Sequence, residues 1–117
     1  MGRGDDALLE RERADVLQGT LDMLVLKALA NGPQHGYGIA VRLHQLSAEV
    51  LRVEEGSLYP ALYRMVDRGW IYSSWGTSEN NRRARFYQLT RTGRRQLEAE
   101  TTSWRRLAGA VERVLEA

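Results

Sequence analysis

The chain has 117 residues, a typical length for one domain, and 43% of them are hydrophobic, as in an ordinary soluble protein. It has no cysteine for a disulfide framework or a thiolate metal site, no apolar run near the roughly 20 residues of a membrane span, and no secretory signal pattern, so we expect a cytoplasmic protein without membrane contact. The formal net charge is only +2, yet sixteen of the seventeen basic residues are arginine.

Residues 1–17 are predicted to form an N-terminal arm. Many charges interrupt its apolar residues, which favours a partly disordered or loosely helical segment. A clear helical pattern begins at Thr20, which we predict as the N-cap. The apolar residues of this first helix recur on one face: Leu21, Leu24, Val25, Ala28 and Leu29. Residues 31–33, Asn-Gly-Pro, predict its end, because glycine suits the left-handed position and proline cannot continue a helix.

Two further helices are predicted after a short, turn-rich link typical of helix-turn-helix folds. The second helix runs from Gly36 to about Leu46, and residues 51–53 are consistent with a short strand. The third helix lies between Gly56 and Gly69 and is expected to bury Leu58, Leu62, Met65 and Val66. Because proline is tolerated only in the first turn of a helix, Pro60 requires a late start, between residues 56 and 59, or an irregular opening turn.

Two strand-like runs, Trp70–Trp75 and Arg83–Leu89, predict a β-hairpin behind the third helix. No acidic residue occurs between Glu79 and Glu98, and six arginines lie in that stretch: Arg82, Arg83, Arg85, Arg91, Arg94 and Arg95. The planar guanidinium can donate two parallel hydrogen bonds to phosphate or guanine. A G+C-rich genome would also raise the arginine content of the whole chain, but it does not explain the missing acids.

The last helix is predicted from Arg91 to Leu115, with Thr90 as its cap. Six of its residues form a heptad-like seam: Leu97, Thr101, Trp104, Ala108, Val111 and Leu115. A helix of this length measures about 37 Å, more than a small winged domain can cover. Either it folds back on its own domain or, as we favour, it packs on a second copy of the chain in a two-fold homodimer.

Together these elements predict a mainly α fold with a small β-hairpin, of the α+β class. Residues 18–90 would form a winged helix-turn-helix DNA-binding domain, and residues 91–117 a C-terminal dimerisation helix. This arrangement presents a helix to a DNA major groove and a basic hairpin to the flanking backbone or minor groove.

Several segments resemble the PadR-like transcriptional regulators, the phenolic-acid-repressor family. The similarity covers roughly residues 17–115, and its motifs are Leu21–Leu26, His35–Ile39, Gly56–Leu62, Arg68–Ile71, and Leu89-Thr90 with Gly93 and Leu97. The hairpin sequence, residues 75–87, resembles an acidobacterial-type subgroup, and the single C-terminal helix resembles the short-tailed branch of the family.

The resemblance implies a homodimer that binds double-stranded operator DNA, usually as a repressor. Some relatives release DNA when a phenolic or drug-like ligand binds, which implies a small aromatic effector as a further partner, although no set of residues here identifies it. In relatives, aromatic residues of the last helix can line a ligand pocket. Trp104 is therefore either such a residue or a packed core tryptophan.

Three groups of residues are candidate DNA contacts. They are Gln34, His35 and Tyr37 at the start of the second helix, Ser57, Tyr59, Pro60, Tyr63 and Arg64 on the third, and Asn80, Asn81, Arg82, Arg83 and Arg85 in the hairpin. We favour Arg82 and Arg83 within the hairpin, where strand alternation places Arg83, Arg85 and Tyr87 on one face. Structural alternatives stay open: Tyr59 or Tyr63 can pack on the core, His35 can stabilise a turn, and the hairpin can be merely solvated.

Enzymatic function is not predicted. The segment Gly56–Tyr59 lacks the second glycine of a nucleophile elbow, and there is no phosphate-binding glycine loop. His35 and His44 are too isolated for a metal site, and nothing calls for a cofactor. Two alternatives to a DNA-binding repressor remain: an interaction module whose basic face binds an acidic protein, and a ligand sensor.

Overall fold

A computed structural model describes residues 20–117 and confirms a mainly α fold with a small sheet. Its elements are α1 (residues 20–30), β1 (Gln34–His35), α2 (Gly36–Leu46), α3 (Glu55–Asp67), β2 (Ile71–Thr77), β3 (Arg83–Leu89) and α4 (Arg91–Glu116). The three strands form an antiparallel sheet in the order β1-β3-β2. The arm predicted over residues 1–17 lies outside the described residues. Within residues 20–117, no helix is both long and apolar enough to cross a membrane.

One apolar core joins α1, α2, α3 and the sheet. Its largest fully buried side chains are Leu21, Leu26, Ile39, Leu58, Leu62, Met65, Ile71 and Val25. Leu58, Leu62 and Met65 are buried as the helical spacing predicted, but the prediction for Val66 is wrong because its side chain is exposed. Ala61 is buried instead, since its small side chain allows the neighbouring elements to approach α3 closely.

The two ends of α1 compare differently with the prediction. Thr20 is itself helical, so it is not the N-cap that the sequence suggested. At the other end, Gly32 adopts the predicted positive φ, at 126°. Arg42 of α2 donates from Nη1 to the carbonyl oxygens of Ala28 and Gly32, at 2.7 and 3.1 Å, and thereby satisfies the end of α1.

The third helix begins earlier than Pro60 suggested. It starts at Glu55, so Pro60 is the sixth residue of α3 and lies inside it. The opening turn is nevertheless tight, because the Ser57 N–H donates to the Glu54 carbonyl three residues back, at 3.0 Å. The Leu58 N–H donates to the same Glu54 carbonyl at 2.9 Å, which is the regular α-helical bond, so neither the late start nor the irregular opening expected from Pro60 is seen.

The sheet differs from the prediction in one strand. Residues 51–53 are not a strand. The third strand is Gln34–His35, which pairs with Tyr87 and Phe86 of β3 and brings the start of α2 beside the hairpin. Because a two-residue strand carries no readable alternation, the sequence pattern could not reveal it.

Among the described residues, the last helix joins the core near its N-terminus. The Thr90 hydroxyl accepts from the Gly93 N–H at 3.0 Å, which confirms Thr90 as the N-cap. Gly93 is buried and Leu97 packs on the core. From Trp104 onwards the large apolar side chains of α4 are exposed.

Candidate nucleic-acid interface

The outer side of α3 presents small and aromatic side chains. Ser57, Tyr59, Pro60 and Tyr63 are all exposed, and Tyr63 retains 72% of its accessible surface. Tyr63 is therefore not a core residue. Tyr59 has a closer neighbour, because a Cβ at Gly36 would lie only 2.9 Å from its Cε1 and Oη atoms. The edge of the Tyr59 ring thus rests on the first residue of α2.

Arg64 is held on the opposite flank of α3. Its Nη2 donates to Oδ1 of Asp22 in α1 at 2.9 Å, and both side chains are partly buried. This ion pair points the guanidinium towards α1 and away from Tyr59. Arg64 is the one charged residue among the five candidates on α3, and Asp22 already matches its charge.

The start of α2 is built by its own side chains. The Gly38 N–H donates to Nδ1 of His35 at 3.0 Å, and the ring of His35 meets Phe86 edge-on at 5.3 Å. Gln34 accepts from the His35 N–H at 2.9 Å, and its side chain lies where a Cβ of Gly38 would be. Both polar groups therefore stabilise the turn. Tyr37, the third candidate here, is exposed.

We call residues 75–85 of the hairpin the wing. Its tip is a compact turn. The Ser78 N–H donates to the Arg82 carbonyl at 2.8 Å, and the Asn81 N–H donates to the Ser78 carbonyl at 2.9 Å. Asn81 adopts φ 58°, a left-handed conformation that asparagine tolerates better than most residues. Asn80 and Arg82 flank it with exposed side chains.

Behind the tip, two arginines lie over one tryptophan ring. Trp75 of β2 is paired with Arg85 of β3, and Arg83 is two residues from Arg85 on the same face of the strand. The guanidinium carbons of Arg83 and Arg85 lie 4.4 and 5.2 Å from the centre of the Trp75 ring. Arg83 and Arg85 therefore share one face of β3, as predicted. Trp75 joins them in the candidate site, although it was not among the residues predicted from the sequence. A hairpin whose loop spans residues 76–81 places Trp75 opposite the arginines of the second strand, and this register was the signal in the sequence that could have identified Trp75.

These three regions surround a single open groove of about 500 Å³. Its lining combines the start of α2, one residue of α3 and the wing: His35, Gly36, Tyr37, Tyr59, Trp75, Ser78, Glu79, Asn80, Arg82, Arg83, Ala84, Arg85 and Tyr87. Glu79 is the one acidic side chain of this lining. Within residues 20–117, the one ion pair joins Arg64 to Asp22, so Glu79 is not paired with an arginine of the wing. The wing arginines therefore face the groove without a carboxylate partner. Tyr87 also lines this groove, and burial raises the pKa of its phenol.

A second, smaller groove lies between α1 and α4. It measures about 360 Å³, and Met23, Trp104 and Leu107 contribute apolar side chains to it. Trp104 is 41% exposed, so within one chain it is not a packed core residue. In the part of the chain that the structure describes, no three His, Cys, Asp or Glu residues are grouped as a metal site would need.

Comparison with known proteins assigns this architecture to a family. The model of the PadR-like family of transcriptional regulators matches residues 25–99. The chain belongs to this family. The PadR-like regulators and the structural neighbours described below are regulators of transcription, not enzymes.

Solved PadR-family structures superpose on nearly the whole chain. A PadR family transcriptional regulator from Eggerthella lenta has a TM-score of 0.79 and 27% identity, with 99% of each chain covered. A transcriptional regulator from Clostridium thermocellum gives a TM-score of 0.76 at 26% identity and covers 85% of this chain and 96% of its own. A PadR-like regulator from Bacillus cereus gives 0.75 at 27% identity, covering 88% and 98%.

A curated relative shows higher identity over a shorter part of its length. It is an uncharacterized 37.1 kDa protein of a transposon from Streptomyces fradiae, 43% identical over 89 residues. These residues are 76% of this chain but only 24% of the relative, so the chain spans about a quarter of that protein.

Proposed function

We propose that this PadR-like protein is a sequence-specific repressor that binds a palindromic operator in double-stranded DNA as a homodimer. The observation that carries the proposal is the groove between α2, α3 and the wing, where three exposed arginines form no ion pair with any residue from 20 to 117. Unpaired guanidinium groups on a concave surface attract phosphate, and each contact releases condensed counterions from DNA. α3 would enter the major groove, and the wing would reach the flanking backbone or minor groove.

The contacts divide by the kind of atom that each side chain can reach. Tyr59, Pro60 and Tyr63 offer apolar surface to thymine methyl groups and sugars, and Ser57 offers a hydroxyl. Asn80, Asn81, Arg82, Arg83 and Arg85 would contact backbone or minor groove from the wing. Near the start of α2, Tyr37 is the exposed candidate, while the Gln34 and His35 side chains accept from the His35 and Gly38 N–H groups and would support the shape of the interface without offering those donors to phosphate. Arg64, bound to Asp22, would contact phosphate at most.

The second copy of the chain is proposed from α4. Its 26 residues extend about 39 Å, and among the described residues Gly93 and Leu97 of its first turns are the ones that pack on the core. The seam of Leu97, Thr101, Trp104, Ala108, Val111 and Leu115 continues onto exposed apolar surface that also includes Leu107 and Val114. Such a stripe on one side of a long helix is suited to pack against the same helix of a partner. Residues 18–90 and 91–117 then serve as DNA-binding and dimerising parts.

DNA binding can be tested by fluorescence anisotropy with the gene's own upstream region across a salt series. The double variant Arg82→Ala/Arg83→Ala should bind more weakly. The slope of log K against log salt should fall by up to about 0.9 for every arginine that contacts a phosphate. The matched control is Arg105→Ala/Arg106→Ala, which removes the same charge from exposed positions of α4. It should keep the slope and specific affinity of the unmodified chain.

Two results would contradict the proposal. Equal affinity for the upstream region and for scrambled DNA at physiological salt would exclude sequence-specific binding. An unchanged salt slope in the wing variant, with the dimer intact by sedimentation, would remove the wing from the interface. Binding to heparin without binding to any DNA would instead favour the rival hypothesis, an acidic protein as the partner of the basic face. Transcription from the bound promoter with and without the protein then decides between repression and activation.

Ligand sensing is a second candidate function, supported by the groove between α1 and α4. Its apolar residues Met23, Trp104 and Leu107 would suit a small aromatic effector. Aromatic compounds should quench tryptophan fluorescence in the unmodified chain and in a Trp75→Phe variant, but not in Trp104→Phe. Quenching that persists in Trp104→Phe would place the ligand elsewhere.

A further inference from the structure

The wing concentrates two positive charges on one aromatic ring. Trp75 and Arg85 are cross-strand partners, and Arg83 follows on the same face of β3. Both guanidinium carbons are within the roughly 6 Å at which a cation is attracted by the face of an indole. One ring thus restrains two long side chains that would otherwise be among the most mobile in the protein.

Trp75 is not part of the core that stabilises the fold. It is 57% exposed and lies outside the buried cluster. Within residues 20–117 neither Arg83 nor Arg85 forms an ion pair, and the indole of Trp75 attracts both charges. Two guanidinium groups on one ring repel each other, and an arriving phosphate would relieve that repulsion. All three side chains line the same groove.

We propose that Trp75 is a positioning residue for DNA binding, which holds Arg83 and Arg85 in the orientation where both face the groove. Less side-chain freedom is then lost when the arginines contact phosphate, and binding is tighter without a new contact. The inference rests on the proposed function, because it names the residue that prepares the wing for DNA. It also brings Arg85 into the contact set beside Arg83.

The experiment compares substitutions at Trp75 with a matched substitution on the other face of β2. Trp75→Leu keeps an apolar side chain but removes the aromatic face, and Trp75→Phe restores a weaker one. Tyr72→Leu is the control, since Tyr72 is an exposed aromatic residue of the same strand that does not line the groove. Each variant is titrated with operator DNA over a salt series, alone and in an Arg83→Ala/Arg85→Ala background.

We expect Trp75→Leu to weaken binding by about five- to thirtyfold, the size expected when two arginine side chains must be ordered on binding instead of in the free protein. Its salt slope should fall towards that of Arg83→Ala/Arg85→Ala, although no charge has been removed. Trp75→Phe should recover part of the affinity, and Tyr72→Leu should match the unmodified chain. In the background without the two arginines, Trp75→Leu should have little further effect, since the arginines through which it acts are gone.

Each other outcome counts against a defined part of the argument. If Trp75→Leu weakens binding equally with and without the arginines, and leaves the salt slope unchanged, Trp75 contacts DNA directly and is not a positioning residue. If Trp75→Leu binds like the unmodified chain, the inference fails while the proposed function stands. If the unmodified chain and Tyr72→Leu do not bind DNA at all, the proposed function fails and the inference fails with it.

Discussion

Replacing Gly93 by alanine should loosen the joint between α4 and the winged domain. A Cβ at this position would collide with the carbonyl oxygen of Trp70 and would lie 3.3 Å from Cδ1 of Leu89. This carbonyl belongs to the backbone between α3 and β2, so it cannot rotate away as a side chain could. It is also bound to the N–H of Thr90 at 3.0 Å. Position 93 therefore requires the absence of a side chain, although its helical conformation would suit any residue.

The size of the effect follows from three opposing contributions. Alanine is favoured over glycine inside a helix by about 1 kcal/mol. Overpacking against a fixed neighbour typically costs about 1–3 kcal/mol. A shift of α4 away from Trp70 would also stretch the hydrogen bond from the Gly93 N–H to the Thr90 hydroxyl, and loss of such a cap costs about 1 kcal/mol. The sum predicts a free energy of unfolding lowered by about 1–3 kcal/mol.

Urea denaturation of Gly93→Ala beside Gly109→Ala gives a direct test, with all samples at one protein concentration because the proposed dimerisation would add to apparent stability. Gly109 is in the same helix, and a Cβ there would meet nothing within 4 Å. Gly109→Ala should therefore be stabilised by up to about 1 kcal/mol, opposite in sign to Gly93→Ala. If both variants are stabilised equally, the collision with Trp70 does not govern this joint.

Three further predictions concern other parts of the chain. Trp104→Glu should convert the dimer into monomers in sedimentation experiments, because it places a charge on the seam, and a persistent dimer would mean that α4 pairs elsewhere. Arg42→Ala should lower the free energy of unfolding by about 1–3 kcal/mol because two carbonyls at the end of α1 lose their donor, whereas Arg52→Ala, at an exposed position, should change it little. Since the raised pKa of Tyr87 favours the neutral phenol in the folded state, stability should decline as pH rises above about 10, and this alkaline decline should be smaller in Tyr87→Phe.

The positions of helices and strands were predictable where local chemistry alone fixes them. The bounds Gly36–Leu46 and Arg83–Leu89 match the structure, because in both cases turn residues flank a clear periodicity. Thr90 could be recognised as a cap because its role depends on residues within one turn. Such signals act over three or four residues, so a single sequence contains them in full.

Features that depend on distant residues were missed. Strand β1 exists only because β3 passes beside the start of α2, and Arg64 is directed to α1 by Asp22, which is 42 positions away in the chain. The role of Trp75 depends on the register of the hairpin, because a shift of one residue would move its partners on β3 to the other face of the sheet. The candidate site could thus be assigned to the right elements from the sequence, whereas the orientation of its side chains required the fold.

The way in which α4 leaves the winged domain leads to a last prediction about the operator. In the proposed dimer, each α3 is fixed to its own α4 through the Thr90–Gly93 joint, so the paired α4 helices set the distance between the two copies of α3. Two-fold symmetry then requires half-sites one helical turn apart, about 34 Å, or a multiple of it. Inserting about five base pairs, half a turn, between the half-sites would rotate them to opposite sides of the duplex. Binding of the dimer should then fall to the level of a single half-site, while insertion of a full turn, about ten base pairs, should be tolerated better. Equal loss for both insertions would show that the joint does not hold the two copies of α3 in a fixed relation.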